Sequence, residues 1–258
     1  MARAWYWSGR WLPKGWFDAI RQLLLFAGAY YAYRIVRGMV DGHSSDAFEN
    51  ARQIIGAERS LHMFFEQDLQ QWALNDAHWI VDGANWMYVN SHFVLTVGFL
   101  IWLYLARNEA YYFVRNMFMV AMGLALVGYV VYPTAPPRFM PEWGFQDTVT
   151  DWVGLQAANN ANALYNPFAA VPSMHVAFAL MISVPAVLVI RNVFIRAFFV
   201  VYPSLITLTV VVTGNHWWFD AFLGALVAGI SALAASGALA RARPDAWSFR
   251  TGLSEAPA

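Results

Sequence analysis

The chain alternates between long apolar stretches and shorter polar ones. Six stretches are mainly apolar over about 20 residues, the length that a helix needs to cross about 30 Å of hydrocarbon. This pattern predicts six transmembrane helices, and therefore an all-α, polytopic membrane protein. The six stretches are residues 17–37, 80–106, 111–133, 170–190, 196–213 and 216–238.

Residues 44–72 follow a different pattern, with apolar side chains at helical spacing among many charged ones. This periodicity is typical of amphipathic helices that lie on a membrane surface or over a cavity. We expect one or two such helices on the extracytoplasmic side, within residues 44–76. Their apolar positions are Ala47, Ile54, Ile55, Leu61, Phe64, Phe65 and Leu69.

Residues 134–169 carry four prolines and little periodicity, which predicts one long loop. Loops of this length are usually either functional or disordered. The residues after 241 are polar and predict a short tail.

The composition supports the membrane assignment. Of the 258 residues, 59% are hydrophobic and only 12% are charged, and the mean hydropathy of +0.42 is outside the usual range of soluble domains. The absence of cysteine excludes disulfides, thiolate metal sites and a thiol nucleophile. A formal net charge of zero gives no reason to expect a nucleic-acid partner.

Most basic residues near the predicted spans fall on one side, which the positive-inside rule assigns to the cytoplasm, while Arg34, Arg37, Arg52, Arg59 and Arg138 fall on the other. We therefore expect a single multi-pass domain, 1–258, in the plasma membrane with both termini cytoplasmic. Residues 1–16 are expected to be a retained tail rather than a signal peptide, and 241–258 a second tail. The basic residues on the predicted cytoplasmic side are Arg3, Arg10, Lys14, Arg107, Arg115, Arg191, Arg196, Arg241 and Arg243.

Polar residues from three separate segments are predicted to lie together at the outer face of the membrane. His216 and Asp220 are spaced i, i+4, so both side chains project from one helical face. The carboxylate can accept the Nδ1 proton of the imidazole and leave Nε2 available as nucleophile or base. A buried hydrogen bond that locks two helices would explain this pair equally well.

His175 and Ser173 begin the fourth apolar stretch, where helix N–H groups and the helix dipole favour an anion. Arg138 follows a rigid Pro-Pro pair, and its guanidinium suits bidentate recognition of phosphate. Taken singly, His175 is also explained as an interfacial residue and Arg138 as a lipid-headgroup ligand.

Together, Arg138, Ser173, His175, His216 and Asp220 provide the groups that phosphoryl transfer requires. The chain has no nucleophile-elbow serine, glycine-rich nucleotide loop or HExxH sequence. Because the histidine–acid pairing satisfies both groups without a metal ion, we expect no metal or other cofactor.

Two sequence blocks carry a resemblance to a known family. PSMHVAFA, followed about forty residues later by GNHWWFDAFLGA, is similar to the second and third signature blocks of the type 2 phosphatidic acid phosphatase superfamily. The resemblance covers residues 111–238, which we take as the catalytic core. It implies that His216 attacks phosphorus with Asp220 as its support, that His175 protonates the leaving group, and that Ser173 binds phosphate.

The chain departs from this family at the first and third blocks. Aligned on Arg138, the usual lysine is Val131 and the usual proline is Phe139, while the usual arginine of the last block is Val210. The sequences YPTAPPRF, PSMH and TGNHWWFD instead resemble the branch that includes the fungal inositol phosphorylceramide synthases.

This second similarity implies transfer of a phospho-headgroup to inositol, a sugar or a lipid hydroxyl as an alternative to hydrolysis. The expected partners are a lipid phosphate, the bilayer and, in the case of transfer, an alcohol acceptor, whereas the oligomeric state stays open. An alternative of another class is a non-catalytic lipid-binding or transport protein that has lost two phosphate ligands.

Overall fold

The computed structural model describes residues 12–39, 44–154, 168–237 and 241. Within these residues the chain is helical, as predicted. A π-helical turn, Met87–Ser91, joins the fourth and fifth helices into one continuous stretch. The α-helices are α1 Gly15–Met39, α2 Ser44–Ser60, α3 Glu66–Asp76, α4 His78–Trp86, α5 His92–Ala106, α6 Asn108–Val131, α7 Thr148–Val153, α8 Met174–Val189, α9 Val193–Val212 and α10 Trp218–Ser236.

Helices occupy all six of the apolar stretches. Four helical stretches in the described residues are long and apolar enough to cross a membrane, and α8 is a shorter apolar helix of 16 residues. Helix α1 is not among the four, and its 25 residues include Asp18, Arg21, Arg34 and Arg37. The four are His78–Ala106, Asn108–Val131, Val193–Val212 and Trp218–Ser236.

Helix α8 lies at the centre of the bundle and packs against α6, α9 and α10. Small side chains line these contacts, which lets helix backbones approach closely. The closest approach is between α10 and the start of α8, where a Cβ atom on Gly224 would lie 2.2 Å from the carbonyl oxygen of Ser173. Ala228, on the same face of α10, is also buried. This face of α10 therefore packs closely against the start of α8.

Residues 44–76 form two helices, α2 and α3, as the periodicity predicted. The apolar positions of this segment differ in burial. Ala47, Ile54 and Ile55 are buried, but Leu61 and Phe65 are 61% and 45% exposed. Two glutamates of this segment, Glu58 and Glu66, are buried instead. The pair of helices covers the end of the bundle at which α10 begins.

The segment 134–169 is more structured than the predicted single loop. It contains two short 3₁₀ helices, Pro137–Phe139 and Pro141–Trp143, followed by α7. The backbone N–H of Thr134 donates to the carbonyl oxygen of Phe168 over 2.8 Å, which holds the two ends of the segment together. Residues 155–167 lie outside the described part of the chain, as do residues 1–11 of the first predicted tail and 242–258 of the second.

Candidate active site

The turn before α10 places His216 at the mouth of the bundle. Gly214 adopts a positive φ of 65°, a conformation that favours glycine. The chain then folds back, so that the backbone N–H groups of Asn215 and His216 both donate to the carbonyl oxygen of Val210, over 2.9 and 3.1 Å. The His216 side chain is buried by this turn.

Asp220 lies one helical turn below His216 and is fully buried. Its Oδ2 atom is 3.4 Å from Nδ1 of His216 and accepts a hydrogen bond from the backbone N–H of Trp217 over 3.0 Å. Because a carboxylate can only accept, this contact favours the tautomer of His216 with the proton on Nδ1. Nε2 of His216 then carries the free lone pair.

His175 faces that lone pair directly. Its Nδ1 atom lies 3.3 Å from Nε2 of His216, and the two rings meet edge to face. With Nε2 of His216 unprotonated, the proton in this contact belongs to Nδ1 of His175. The structure thus pairs a ring that can attack with a ring that can donate a proton.

Ser173 is the residue immediately before α8 and is completely buried. Its backbone N–H donates to the carbonyl oxygen of Asp220 over 3.0 Å, but its hydroxyl has no hydrogen-bond partner among the described residues. A serine at this position usually caps its helix, and here it does not. The hydroxyl and the first N–H groups of α8 are therefore placed to bind an anion beside His175.

The first backbone N–H groups of α10, unlike the hydroxyl of Ser173 at the start of α8, have hydrogen-bond acceptors. The backbone N–H of Trp218 donates to Oε1 of Glu66 over 3.0 Å, and that of Phe219 donates to Oε1 of Glu58 over 3.3 Å. Burial, together with the neighbouring Glu66, raises the pKa of Glu58 to about 10, and burial also raises the pKa of Glu66. The first backbone amides of α10 therefore already have carboxyl acceptors.

Arg138 lies against the turn that precedes His216. Its backbone N–H donates to the carbonyl oxygen of Gly214 over 2.8 Å, and its guanidinium donates to the side-chain oxygen of Asn215. Nε of Arg138 is also 3.8 Å from the carboxylate of Asp147, the residue that caps α7. The structure therefore places Arg138 against the turn that carries His216 and fixes its direction through two acceptors, Asn215 and Asp147.

Three further residues, which the sequence analysis did not select, surround the site. Asn215 orients Arg138, while Tyr88 and His92 pack against the ring of His175 at centroid distances of 4.7 and 5.2 Å. Nδ1 of His92 is 2.9 Å from the hydroxyl of Tyr202, so this histidine is anchored in turn. A histidine inside an apolar span is unusual enough to have been noticed from the sequence.

Val131 and Val210, which stand where the family usually carries a lysine and an arginine, have different environments. Val131, at the end of α6, is 74% exposed and belongs to the outer surface of the bundle. Val210 is completely buried behind the turn that carries His216. A buried valine next to His216 contributes packing rather than charge.

These features define a class: an all-helical protein with several membrane-length apolar helices and a paired-histidine site at one end of the bundle. The family model of the PAP2 superfamily matches residues 52–234. The chain therefore belongs to the PAP2 superfamily, whose members are generally phosphatases or phosphotransferases. Searches among curated proteins and among solved structures gave no significant match.

The superfamily resemblance noted in the sequence is thus confirmed, and the match begins earlier than residue 111 because it includes most of α2 and all of α3. The similarity to the inositol phosphorylceramide synthase branch stays a prediction. So do the roles of the five site residues.

Proposed function

We propose that this protein is an integral membrane enzyme that cleaves or transfers the phosphate group of a lipid ester through a phosphohistidine on His216. The observation that carries the proposal is the 3.3 Å contact between Nε2 of His216 and Nδ1 of His175. In-line displacement at phosphorus needs the nucleophile and the proton donor on opposite sides of the phosphorus atom. The line between these two nitrogens supplies that axis.

In the first step, Nε2 of His216 attacks phosphorus while the bond from phosphorus to the leaving oxygen breaks. The leaving oxygen takes the proton from Nδ1 of His175 and departs as an alcohol. Positive charge that develops on the His216 ring is stabilised by Asp220, 3.4 Å from Nδ1. The negative phosphate oxygens are bound by Arg138, the hydroxyl of Ser173 and the first amides of α8.

In the second step, an acceptor hydroxyl attacks the phosphohistidine along the same axis. Nδ1 of His175, which gave up its proton in the first step, takes the proton of the acceptor, and the N–P bond to His216 breaks. Water as acceptor gives hydrolysis, and an alcohol gives a new phosphate ester. The pair of histidines returns to its starting protonation state in either case.

The donor is a lipid because the site adjoins an apolar groove. This groove runs between α8, α9 and α10, and its lining includes Val176, which follows His175 in the chain, and Trp218, two residues after His216. An acyl chain placed there would leave its phosphate beside the two rings. The apolar lining includes Val176, Leu180, Leu208, Val211, Trp218 and Phe222.

A phosphodiester donor with transfer to an alcohol is the second candidate, and the cation balance of the site favours it. Valine occupies both positions where the family usually carries an additional cation, and Val210 is buried. A phosphate diester carries one negative charge, whereas a monoester carries close to two at neutral pH. A site that relies on Arg138 is better matched to the single charge.

The active site is proposed to face the extracytoplasmic side of the plasma membrane, covered by α2 and α3, with six spans and both termini in the cytoplasm. This placement rests on the distribution of arginines along the chain. Helix α1 would then span the membrane in contact with α6. The hydroxyl of Tyr112 on α6 donates to Asp18 of α1 over 2.7 Å, which satisfies the carboxylate.

The test is turnover by purified protein in detergent, beside the His216→Ala variant. Phosphate release is measured from phosphatidic acid, and headgroup exchange from a panel of lipid phosphodiesters with inositol, sugar and lipid alcohols as acceptors. We expect activity in one of the two assays that is lost in the variant. Absence of both activities, with lipid binding retained by wild type and variant, would identify a non-catalytic lipid-binding protein.

A further inference from the structure

Three consecutive backbone N–H groups at the start of α10 each donate to a buried carboxyl group. Trp217 donates to Asp220 within the helix, Trp218 donates to Glu66 of α3, and Phe219 donates to Glu58 of α2. Glu58 is 1% exposed and Glu66 is not exposed at all. Two acidic residues of the covering helices therefore reach the catalytic helix at the residues directly after His216.

Two carboxylates so close together and so deeply buried cannot both stay ionised, because each disfavours the charged form of the other. Glu66 and Glu58 accept from the adjacent amides of Trp218 and Phe219, so the two carboxyl groups are neighbours at the start of α10. Burial and this neighbouring acid raise the pKa of Glu58, so that one of the two groups holds a proton. The pair then carries a single negative charge at the positive end of the α10 dipole.

The contacts assign this proton to Glu58. Both oxygens of Glu66 accept backbone N–H groups, Oε1 from Trp218 and Oε2 from Phe65, each over 3.0 Å. Glu58 accepts only the longer bond from Phe219, and its Oε2 receives no donor within the described residues. The group with more N–H donors is the anion, and the group with a spare oxygen carries the O–H.

We infer that Glu58 and Glu66 are positioning residues, which as a singly protonated pair fix the first turn of α10 and the direction of the His216 ring. The pair also fills the amide end of α10, so that a phosphate is bound at the start of α8 instead. The catalytic part of this inference rests on the proposed function. The sharing of one proton between Glu58 and Glu66, and their fixing of the first turn of α10, are independent of the proposed function.

The charged groups around the pair give its pH dependence a definite sign. Asp220 on α10 is a further acid near Glu58, while the guanidinium of Arg59 is directed to the rings of Phe64 and Trp143. The folded state keeps the Glu58 proton up to pH about 10, whereas an unfolded chain loses it near the ordinary value of 4.5. The stabilising contribution is therefore complete below pH about 4.5 and declines as the pH rises toward 10.

The test compares thermal unfolding in detergent between pH 5 and pH 9, and turnover at pH 7. The variants are Glu58→Ala, Glu58→Gln, Glu66→Ala and Glu66→Gln. Glu49→Gln is the matched control, because Glu49 lies on α2 but is exposed and pairs only with the exposed Arg52 in the described structure.

We expect the Tm of wild type and of Glu49→Gln to fall as the pH rises, and that of Glu58→Gln to change much less. Glutamine at position 58 should also restore most of the Tm and kcat that alanine removes, since its N–H can replace the O–H of Glu58. Glutamine at position 66 should not restore them. Both Glu66 variants should lower kcat about tenfold with little change in KM.

Parallel pH profiles for wild type and Glu58→Gln would overturn the shared proton. Equal rescue by glutamine at both positions, or Glu66 variants with the kcat of Glu49→Gln, would overturn the assigned roles. The Tm profiles need no substrate, so they decide the inference even if wild type shows no lipid turnover. Normal turnover together with parallel profiles of Tm against pH for wild type and Glu58→Gln would contradict the singly protonated pair and leave the proposed function intact.

Discussion

Nε2 of His216 and Nδ1 of His175 are 3.3 Å apart, within direct hydrogen-bonding distance of each other. A phosphorus atom and its leaving oxygen do not fit between two nitrogens at this separation, so substrate binding must part the rings. The rings are backed by different elements, His216 by Asp220 on α10 and His175 by Tyr88 and His92. Phosphate entry thus exchanges one histidine–histidine hydrogen bond for contacts from each ring to the substrate.

The unpaired hydroxyl of Ser173 predicts that function and stability separate at this position. Ser173→Ala should lower kcat/KM about 10²-fold, because one donor to the phosphate is lost. Its Tm should be unchanged or higher, because a buried hydroxyl without a partner is removed. Ser183 is the matched control, since its hydroxyl is also buried and unpaired in the described structure. Ser183→Ala should leave turnover unchanged, and an equal loss of turnover in both variants would contradict the prediction.

The contact between Gly224 and Ser173 predicts a steric effect on the site. Gly224→Ala would place Cβ 2.2 Å from a backbone carbonyl, so α8 and α10 must separate. We expect a loss of about 1–3 kcal/mol in the free energy of unfolding and a fall in kcat, because His175 lies on α8 and His216 lies in the turn that leads into α10. Gly229→Ala on the same helix meets nothing within 4 Å and should keep the Tm and kcat of wild type. Thermal unfolding and turnover of the two variants in detergent provide the comparison.

The chain contains two histidine–aspartate pairs at i, i+4 spacing, and only one is buried. Asp220→Asn removes the charge that supports His216 and should lower kcat about 10³-fold with little effect on KM. Asp82→Asn changes the exposed pair with His78 and should have no effect on turnover. Steady-state kinetics of both variants test this. A small and equal effect would mean that the buried pair serves only to join helices.

The absence of cysteine allows the proposed topology to be tested directly. Ser45→Cys places a thiol on α2, and Glu109→Cys places one in the first turn of α6; both positions are exposed. In intact cells, a membrane-impermeant maleimide should label the first and reach the second only after permeabilisation. Labelling of both thiols from the same side would contradict the predicted span over residues 80–106.

Much of the fold could be predicted because apolar length and periodicity directly reflect the cost of leaving backbone groups in lipid. The same reasoning gave His216, Asp220 and His175, since a titratable group at the end of an apolar span is conspicuous. The close contact of Gly224 was likewise predictable from the run of small residues on one face of α10.

The buried carboxyl pair could not be predicted in this way. Glu58 and Glu66 lie in a segment rich in acids, and what separates them from the exposed Glu49 is their contact with amides of a helix more than 150 residues later in the chain. Asn215 is similar, because its role depends on where the loop of Arg138 folds. Leu61 and Phe65 continue the apolar pattern but are exposed, because both lie in the turn between α2 and α3.

The central claim is that His216 carries the phosphate during turnover, and it is tested most directly by trapping the intermediate. Purified protein is incubated with a phosphate-labelled lipid that it turns over, quenched in alkali to preserve phosphohistidine, and mapped by mass spectrometry. We predict a label on His216 in wild type and in Asp82→Asn, and none in His216→Ala. A label on another residue, or full turnover by His216→Ala, would contradict the account.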